Sequence, residues 1–188
     1  MQTKIGVMGS AEAAAAPAIE ELARKLGEAI AGRDLILLTG ATTGVVHVVG
    51  KTAHNAGAFH LGISPGENQH EHVDTFGLPV DACDAIVYTG FGLKGRNVVL
   101  VRSCDIVIFI AGSIGSLNEF TIAHDEGKII GCLIGTGGVA DEIKRISQTF
   151  PKPTESRIFY DAEPARLIDI CLASVDAARR DLAINTRG

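Results

Sequence analysis

The chain consists of short, mostly apolar segments separated by glycine-containing turns. Ile106–Ile110 contains no polar residue, which suits a strand covered on both faces, as in a parallel sheet. Seven strands are predicted on this pattern, at residues 4–8, 35–38, 59–63, 85–88, 106–110, 129–133 and 157–160. Strands that alternate with helices and glycine turns predict a doubly wound α/β fold, with one mostly parallel sheet and helices on both faces.

Helical spacing of apolar residues and helix-start signals fill the gaps between these strands. Pro17 suits the first position of a helix, and Gly32 and Gly57 suit helix ends. Helices are predicted at residues 17–31, 44–56, 93–103 and 139–147, after residue 115, and after Asp161, with Pro164 in the first turn of this last helix. Asp161 is expected to cap the last helix. Because no linker or repeat divides the chain, one Rossmann-like domain over residues 1–188 is expected, with about the last eight residues frayed.

One segment gives conflicting signals. Val98–Val101 prefers a strand by local propensity. A parallel sheet, however, needs a crossover before Asp105, and a helix is the usual crossover. A helix over residues 93–103 is therefore favoured, and Asn97 is interpreted as a helix cap.

The turn that follows the central strand is the best candidate for a ligand site. Ser116 is predicted to cap a helix, and Glu119 lies three residues later, in the spacing of a capping box. Free N–H groups and a partial positive charge at such a helix start attract phosphate. In doubly wound folds ligands bind at the carboxyl ends of the strands. The predicted phosphate- or nucleotide-binding residues are Gly9, Ser10, Gly40, Gly44, Gly112, Ser113, Gly115 and Ser116.

The segment from residue 64 to residue 83 has no clear period and is predicted to be a long loop. It contains His70 and His72, separated by one residue. Two histidines without a third ligand are weak evidence for a metal, so no metal site is assigned.

Composition narrows the class of protein. The net charge of -5 does not favour binding to a nucleic-acid backbone. No apolar run approaches the roughly 20 residues of a membrane span, and the start of the chain lacks the pattern of a signal peptide. The cysteines are scattered without a C-x-x-C pair, which favours buried thiols in a reducing compartment. These cysteines are Cys83, Cys104, Cys132 and Cys171. Together these observations predict a soluble cytoplasmic protein without nucleic-acid or membrane partners.

Three motifs carry a family resemblance, although the G-x-G-x-x-G dinucleotide fingerprint and the Walker A motif are absent. The segment 111–119 (A-G-S-I-G-S-L-N-E) resembles the P-G-G-x-G-T-x-x-E signature of the Lonely Guy (LOG) family, long mislabelled as lysine decarboxylases. The segment 95–103 is similar to the G-x-R-N run of the branch that includes molybdenum-cofactor carrier proteins, and the turn 40–44 resembles an earlier glycine turn of the same superfamily.

The chain departs from the signature at several positions. Ala111 stands in place of proline, Ser113 in place of the second glycine, and Ser116 in place of threonine. Ala41 follows Gly40 where relatives often have a second glycine. A Cβ at Ser113 is expected to be costly if the backbone there needs a positive φ.

The resemblance implies a function and two catalytic residues. LOG enzymes hydrolyse the N-glycosidic bond of nucleoside 5′-monophosphates. By this likeness the phosphate lies on residues 112–116, and Glu119 and Arg96 flank the sugar as the catalytic pair. A carboxylate there can stabilise the positive charge that develops as the base leaves, and arginine can fix an anionic group.

Two further functions remain open from the sequence. One is a non-catalytic carrier, with molybdenum cofactor as the named candidate, and the other is a sensor that only binds a nucleotide. No cofactor is required for the hydrolase, whereas a bound nucleotide or molybdenum cofactor is expected for the others. In every case the partner is a small phosphorylated ligand. Glu119 has an equally weighted interpretation as the partner of Ser116 in a capping box.

Relatives form their pockets near a subunit interface, so a homodimer or higher homo-oligomer is also expected. The apolar helix around Val98–Val101 is consistent with this assembly, although burial within one chain explains it as well.

Overall fold

A single sheet of seven parallel strands, with helices on both faces, forms the core of the chain. The computed structural model describes residues 2–11 and 15–185, with side chains as far as residue 181. The strands are β1 (Thr3–Gly9), β2 (Leu35–Thr39), β3 (Phe59–Ser64), β4 (Ala85–Tyr88), β5 (Ile106–Ile110), β6 (Ile129–Leu133) and β7 (Arg157–Asp161). Their spatial order is β4-β3-β2-β1-β5-β6-β7. The predicted α/β fold is confirmed.

In the described part of the chain, five α-helices connect consecutive strands and a sixth follows β7. They are α1 (Pro17–Ala31), α2 (Gly44–Asn55), α3 (Gly92–Ser103), α4 (Ile114–Asp125), α5 (Gly138–Thr149) and α6 (Pro164–Asn185). One layer of the core joins α1, α2 and α6 to the sheet through Leu26, Val49 and Ile168. The other joins α3, α4 and α5 to the opposite face through Leu100 and Phe120. No helix among the described residues has the length and apolar character needed to cross a membrane. The end of the segment predicted to fray, residues 186–188, lies outside the described residues.

The strand order reverses between β1 and β5. From β1 the chain builds outward through β2 to β4, and it then returns to place β5 on the other side of β1. The carboxyl ends of these two strands therefore carry connections that leave toward opposite faces of the sheet. Such a switch point leaves a crevice, which is the usual ligand site in doubly wound folds.

The conflict over residues 98–101 is resolved in favour of a helix. Leu100 and Val101 are fully buried in α3, against the sheet. Asn97 lies in the middle of this helix, and the cap position is occupied by Phe91. The interpretation of Asn97 as a helix cap was therefore wrong, because the helix begins at Gly92, five residues earlier.

Helix α4 begins two residues before the predicted cap. Ser113 occupies the cap position, and Ser116 lies within the first turn, where its hydroxyl donates to the Gly9 carbonyl at 3.1 Å. The predicted capping box of Ser116 and Glu119 is therefore wrong. Ser116 instead ties α4 to the end of β1, and Glu119 is free to face another direction.

The backbone of the turn also differs from the expectation. Ser113 has φ -127°, so its Cβ causes no strain. The positive φ angles occur at Ala111 (52°) and Gly112 (101°), just before it. Ala111 donates its N–H to the Thr136 hydroxyl at 2.8 Å. A proline, whose φ is fixed near -65° and which has no N–H, cannot replace alanine in this turn.

A second residue with positive φ is held by a buried histidine. Ala41 has φ 48° and donates its N–H to the Thr39 hydroxyl at 3.1 Å. That hydroxyl lies 2.8 Å from Nε2 of His60, whose Nδ1 contacts the Ala82 carbonyl. Because a carbonyl only accepts, Nδ1 carries the proton and Nε2 accepts from Thr39. Burial lowers the pKa of His60 to about 4, so the neutral ring keeps this arrangement at neutral pH.

The segment between β3 and β4 is less irregular than predicted, because it contains a single π-helical turn at Glu71–Thr75. His72 is buried there, with Nδ1 2.8 Å from the Ser64 hydroxyl and Nε2 3.0 Å from the Pro79 carbonyl. His70 is exposed beside Asp74. His72 therefore anchors the segment to the end of β3.

Asp161 is the last residue of β7 rather than the residue directly before α6, so the predicted cap assignment needs correction. Its carboxylate accepts from the Glu163 N–H at 2.8 Å and pairs with Arg166 at 2.5 Å. The hydrogen bonds and charge of Arg166 hold the pKa of this carboxyl at about 2. The side chain thus still stabilises the start of α6, from a position in the strand.

We expect Ala111→Pro to lower the free energy of unfolding by about 3 kcal/mol or more, because proline cannot adopt the positive φ and loses the bond to Thr136. Ala111→Gly is the matched control, and it should change the free energy by less than about 1 kcal/mol. Urea unfolding of both variants measures the difference. Full stability of the proline variant would contradict the described turn.

Candidate functional site

A cavity of about 180 Å³ lies at the carboxyl ends of β1 and β2, beside the starts of α3 and α4. Its apolar wall consists of Val7, Met8, Val46 and Leu93. Its polar and charged side chains come from the β2–α2 turn, α3 and α4, and they are Thr42, Lys94, Arg96, Asn97, Ser113, Ser116 and Glu119. Backbone at Gly9, Ala11, Gly40 and Gly115 completes the lining.

The fold brings most of the predicted site residues to this cavity. Those that line it are Arg96, Glu119, Gly9, Gly40, Ser113, Gly115 and Ser116. Ser10 and Gly112 line a neighbouring cleft of about 240 Å³ that shares Ser113 with the cavity. Gly44 faces a separate cleft beside His47. The glycine turns therefore do not form one continuous phosphate cradle.

Arg96 reaches the cavity from the middle of α3 and packs against Gly40. The residue is 6% exposed, and its Nη1 donates to the Ile63 carbonyl at 3.2 Å. A Cβ on Gly40 would overlap the guanidinium, so glycine at this position makes room for it. Burial lowers the pKa of Arg96, and the nearby Glu119 partly offsets the effect.

Glu119 enters the cavity from α4 and is 8% exposed. Burial raises its pKa to about 7, although the positive charges of Arg96 and Lys94 act in the opposite direction. Among the described residues, none of the ion pairs within 4 Å joins Glu119 to Arg96. The two side chains thus face a common space without neutralising each other by direct contact.

Asn97 was missed as a cavity residue by the sequence reasoning. It is 4% exposed, and its amide nitrogen lies 2.9 Å from Asn118 Oδ1. Rotating the amide points the nitrogen at Glu119 Oε1, 3.2 Å away, and at the Leu93 carbonyl, 3.0 Å away. Helical spacing from Leu93 through Asn97 to the buried Leu100 indicates an inward face and could have identified it.

Lys94 and Thr42 also line the cavity and were not predicted. Lys94 is exposed at the rim, and its charge reaches Glu119. An exposed lysine in a helix has no distinguishing sequence pattern, so no signal could have identified it.

The start of α4 supplies backbone donors to the same space. The first helical bond runs from the Leu117 N–H to the Ser113 carbonyl, so the N–H groups of residues 114–116 precede the helical ladder. Gly115 lines the cavity, and a Cβ added to it would meet no atom within 4 Å. These donors, together with the guanidinium of Arg96, suit a bound oxyanion.

The described part of the chain contains no group of three or more histidine, cysteine or acidic residues that could hold a metal ion. Cys104, Cys132 and Cys171 are buried, and burial raises the pKa of each thiol, to about 12 for Cys104 and Cys171.

A model of the SLOG cluster4 family matches residues 2–168. The chain belongs to this family. The match lies within the LOG-like superfamily, so the expected family resemblance is confirmed. An uncharacterized protein of Archaeoglobus fulgidus is 31% identical over 130 residues, which cover 69% of this chain and 79% of the relative.

Two solved structures resemble the chain over nearly its whole length. The molybdenum cofactor binding protein from Rippkaea orientalis has 27% identity and a TM-score of 0.74, with 93% of this chain and 98% of the other covered. The Moco carrier protein from Chlamydomonas reinhardtii has 27% identity and a TM-score of 0.74, with coverages of 93% and 99%.

We expect Gly40→Ala to lower the free energy of unfolding by about 1–3 kcal/mol, because the new methyl group overlaps Arg96. The φ of Gly40 is not positive, so alanine causes no backbone strain of its own. In an Arg96→Ala background the same substitution should cost less than about 0.5 kcal/mol. Equal costs in the two backgrounds, measured by urea unfolding, would show that Gly40 and Arg96 are not in contact.

Proposed function

We propose that the chain is a non-catalytic carrier of a phosphate-bearing cofactor, with molybdenum cofactor as the candidate. The first support for this proposal comes from the two solved proteins that are named for binding or carrying that cofactor. The structural match to each covers 93% of this chain. The sensor function has no such support.

The observation that carries the proposal is the buried guanidinium of Arg96 beside the start of α4. A buried positive charge is costly unless an anion or strong acceptors compensate it. Among the described residues, no ion pair joins Glu119 to Arg96, and the one acceptor at hydrogen-bond distance from the guanidinium is the Ile63 carbonyl. A phosphate between Arg96 and the N–H groups at Gly115 and Ser116 would supply the missing negative charge.

The residues present fit such a cofactor in its phosphate and organic parts. Arg96, Gly115 and Ser116 would hold the phosphate, and the wall formed by Met8, Val46 and their neighbours would contact the ring system. The metal would arrive with its own sulfur ligands, since the described residues form no metal site. Bound molybdenum cofactor supplies redox chemistry to other enzymes, whereas the side chains here only bind, orient and shield it.

Hydrolysis of a nucleoside monophosphate is the second candidate, because Arg96 and Glu119 do share one cavity. That reaction needs a negative carboxylate to stabilise the developing positive charge. With its pKa raised to about 7 by burial, Glu119 carries only part of that charge at neutral pH. This fits a binding site better than a glycosidase.

The predicted homo-oligomer remains a proposal. Phe91, Leu93 and Ile114 are 66%, 53% and 73% exposed at the starts of α3 and α4. A partner subunit on this surface would cover apolar area beside the cavity.

We expect Gly115→Val to reduce bound cofactor more than tenfold, because the Cβ position of Gly115 is open and the larger side chain would take up space in the cavity. Gly32→Ala is the matched control: it lies at the exposed end of α1, where a Cβ has only ordinary contacts. Both variants are purified from cells that make molybdenum cofactor, and the bound pterin is oxidised and quantified by fluorescence alongside molybdenum by mass spectrometry.

The wild type should carry pterin and molybdenum together and should release no base from nucleoside 5′-monophosphates. Base release that depends on Glu119 would favour the hydrolase. Absence of pterin from the wild type would contradict the carrier.

A further inference from the structure

The side chain of Glu119 has neighbours that suit both of its protonation states. The Asn97 amide lies 3.2 Å from Glu119 Oε1 and 2.9 Å from Asn118 Oδ1. With its nitrogen toward Glu119, the amide donates to a carboxylate. With its oxygen toward Glu119, it accepts from a protonated carboxyl group, and the same oxygen then lies 3.0 Å from the Leu93 carbonyl, which favours the first orientation while Glu119 is ionised. This amide can therefore stabilise Glu119 with or without a proton.

The other charged groups near Glu119 lie on one side of the cavity. Arg96 and Lys94 both come from α3, and both favour the ionised carboxylate. From β1 and the β2–α2 connection, the cavity is lined by Val7, Met8, Gly9, Gly40, Thr42 and Val46, none of which carries a charge. Cys104, whose thiol also senses Glu119, stays neutral because burial raises its pKa to about 12. Burial is the largest influence on the pKa of Glu119 and raises it, and the two cations of α3 are the charges that oppose this effect.

An oxyanion in the cavity changes this balance. It pairs with Arg96 and so removes the main electrostatic support of the Glu119 carboxylate, and its own negative charge repels that carboxylate. We propose that an oxyanion ligand binds at Arg96 together with one proton, which is taken from solvent and held by Glu119. The proton forms an O–H bond on the Glu119 carboxylate, and the Asn97 amide oxygen accepts a hydrogen bond from that group. Because the proton brings one positive charge, the site gains one negative charge fewer than the ligand carries.

This inference rests on the proposed function, and it gives a carrier a means of release. Binding coupled to proton uptake weakens as the pH rises. By linkage, the bound ligand raises the proton affinity of Glu119 by the same factor by which protonation of Glu119 raises the affinity for the ligand. Loss of the proton to an acceptor protein would release the cargo without any covalent step.

Calorimetric titration with guanosine 5′-monophosphate tests the inference. This nucleotide is a stable stand-in, because guanine and pterin share the 2-amino-4-oxo ring. At pH 7.5 its phosphate is largely a dianion, since the second ionisation has a pKa of about 6. Titrations in two buffers of different ionisation enthalpy give the number of protons taken up per nucleotide bound.

The wild type should take up about half a proton per nucleotide at pH 7.5, and its Kd should rise several-fold from pH 7.5 to pH 8.5. Glu119→Gln should bind with less than about 0.1 proton and a flat pH profile. Glu126→Gln, which removes an exposed carboxylate paired with Arg102 at 2.6 Å, should match the wild type.

Binding without proton uptake by the wild type would overturn the inference and leave the carrier function intact. Uptake that persists in Glu119→Gln would also overturn it, because the proton then goes elsewhere. Failure of the wild type to bind the nucleotide would also overturn the inference of coupled proton uptake. The carrier function is tested separately, by cofactor loading.

Discussion

The arrangement of the site depends on one buried cation. The guanidinium of Arg96 lies against Gly40, is anchored by the Ile63 carbonyl, and has no carboxylate within ion-pair distance among the described residues. A charge in this position costs stability in the free protein unless it is compensated. Glu119 shares the cavity without pairing directly with this charge, so a bound anion is the partner that we propose for it. The glycine at position 40, the position of Glu119 and the N–H groups of α4 are all consistent with this requirement.

The surrounding fold holds the cation in place through backbone turns rather than through a phosphate-binding loop of many glycines. Ser116 ties the first turn of α4 to the end of β1, and Thr39 together with buried His60 holds Ala41 at a positive φ. Ala41 and Ala111 occupy conformations that cost an L-residue about 1–2 kcal/mol each. Such strain persists where packing over-determines the backbone. Here Ala111 directly follows β5, and Ala41 follows the end of β2 after one intervening residue.

Much of the fold could be predicted from the sequence because apolar runs and glycine turns are local signals. The choice of helix for residues 98–101 required a topological rule, since propensity alone favoured a strand there. The start of α4 was predicted two residues late. A serine and a glutamate at capping-box spacing look the same in sequence whether they bond to each other's backbone or make two unrelated contacts. Ser116 bonds to β1, 107 residues away, and Glu119 faces a cavity formed with α3. Such long-range contacts have no local signature.

The structure shows which of the predicted site residues share a cavity, and their roles in binding stay predictions. Arg96 and Glu119 lie together, whereas Gly44 lies in a separate cleft, because the turn after β2 directs it toward α1 rather than toward α4. Asn97 was assigned to a helix end. Its contacts with Asn118 and Glu119 depend on the packing of α3 against α4, which the sequence does not specify locally.

The most direct test of the central claim is the position of a bound phosphate. Crystals grown with guanosine 5′-thiomonophosphate, measured at a wavelength where sulfur scatters anomalously, locate the anionic group independently of the rest of the ligand. The protein's own two methionines and four cysteines also give peaks, so the ligand peak is the one absent from crystals grown without the nucleotide. We predict this peak in the cavity, within hydrogen-bonding distance of both the Arg96 guanidinium and the N–H groups at the start of α4. A ligand peak in the cleft beside Gly44, or elsewhere on a protein that binds the nucleotide in solution, would contradict the claim.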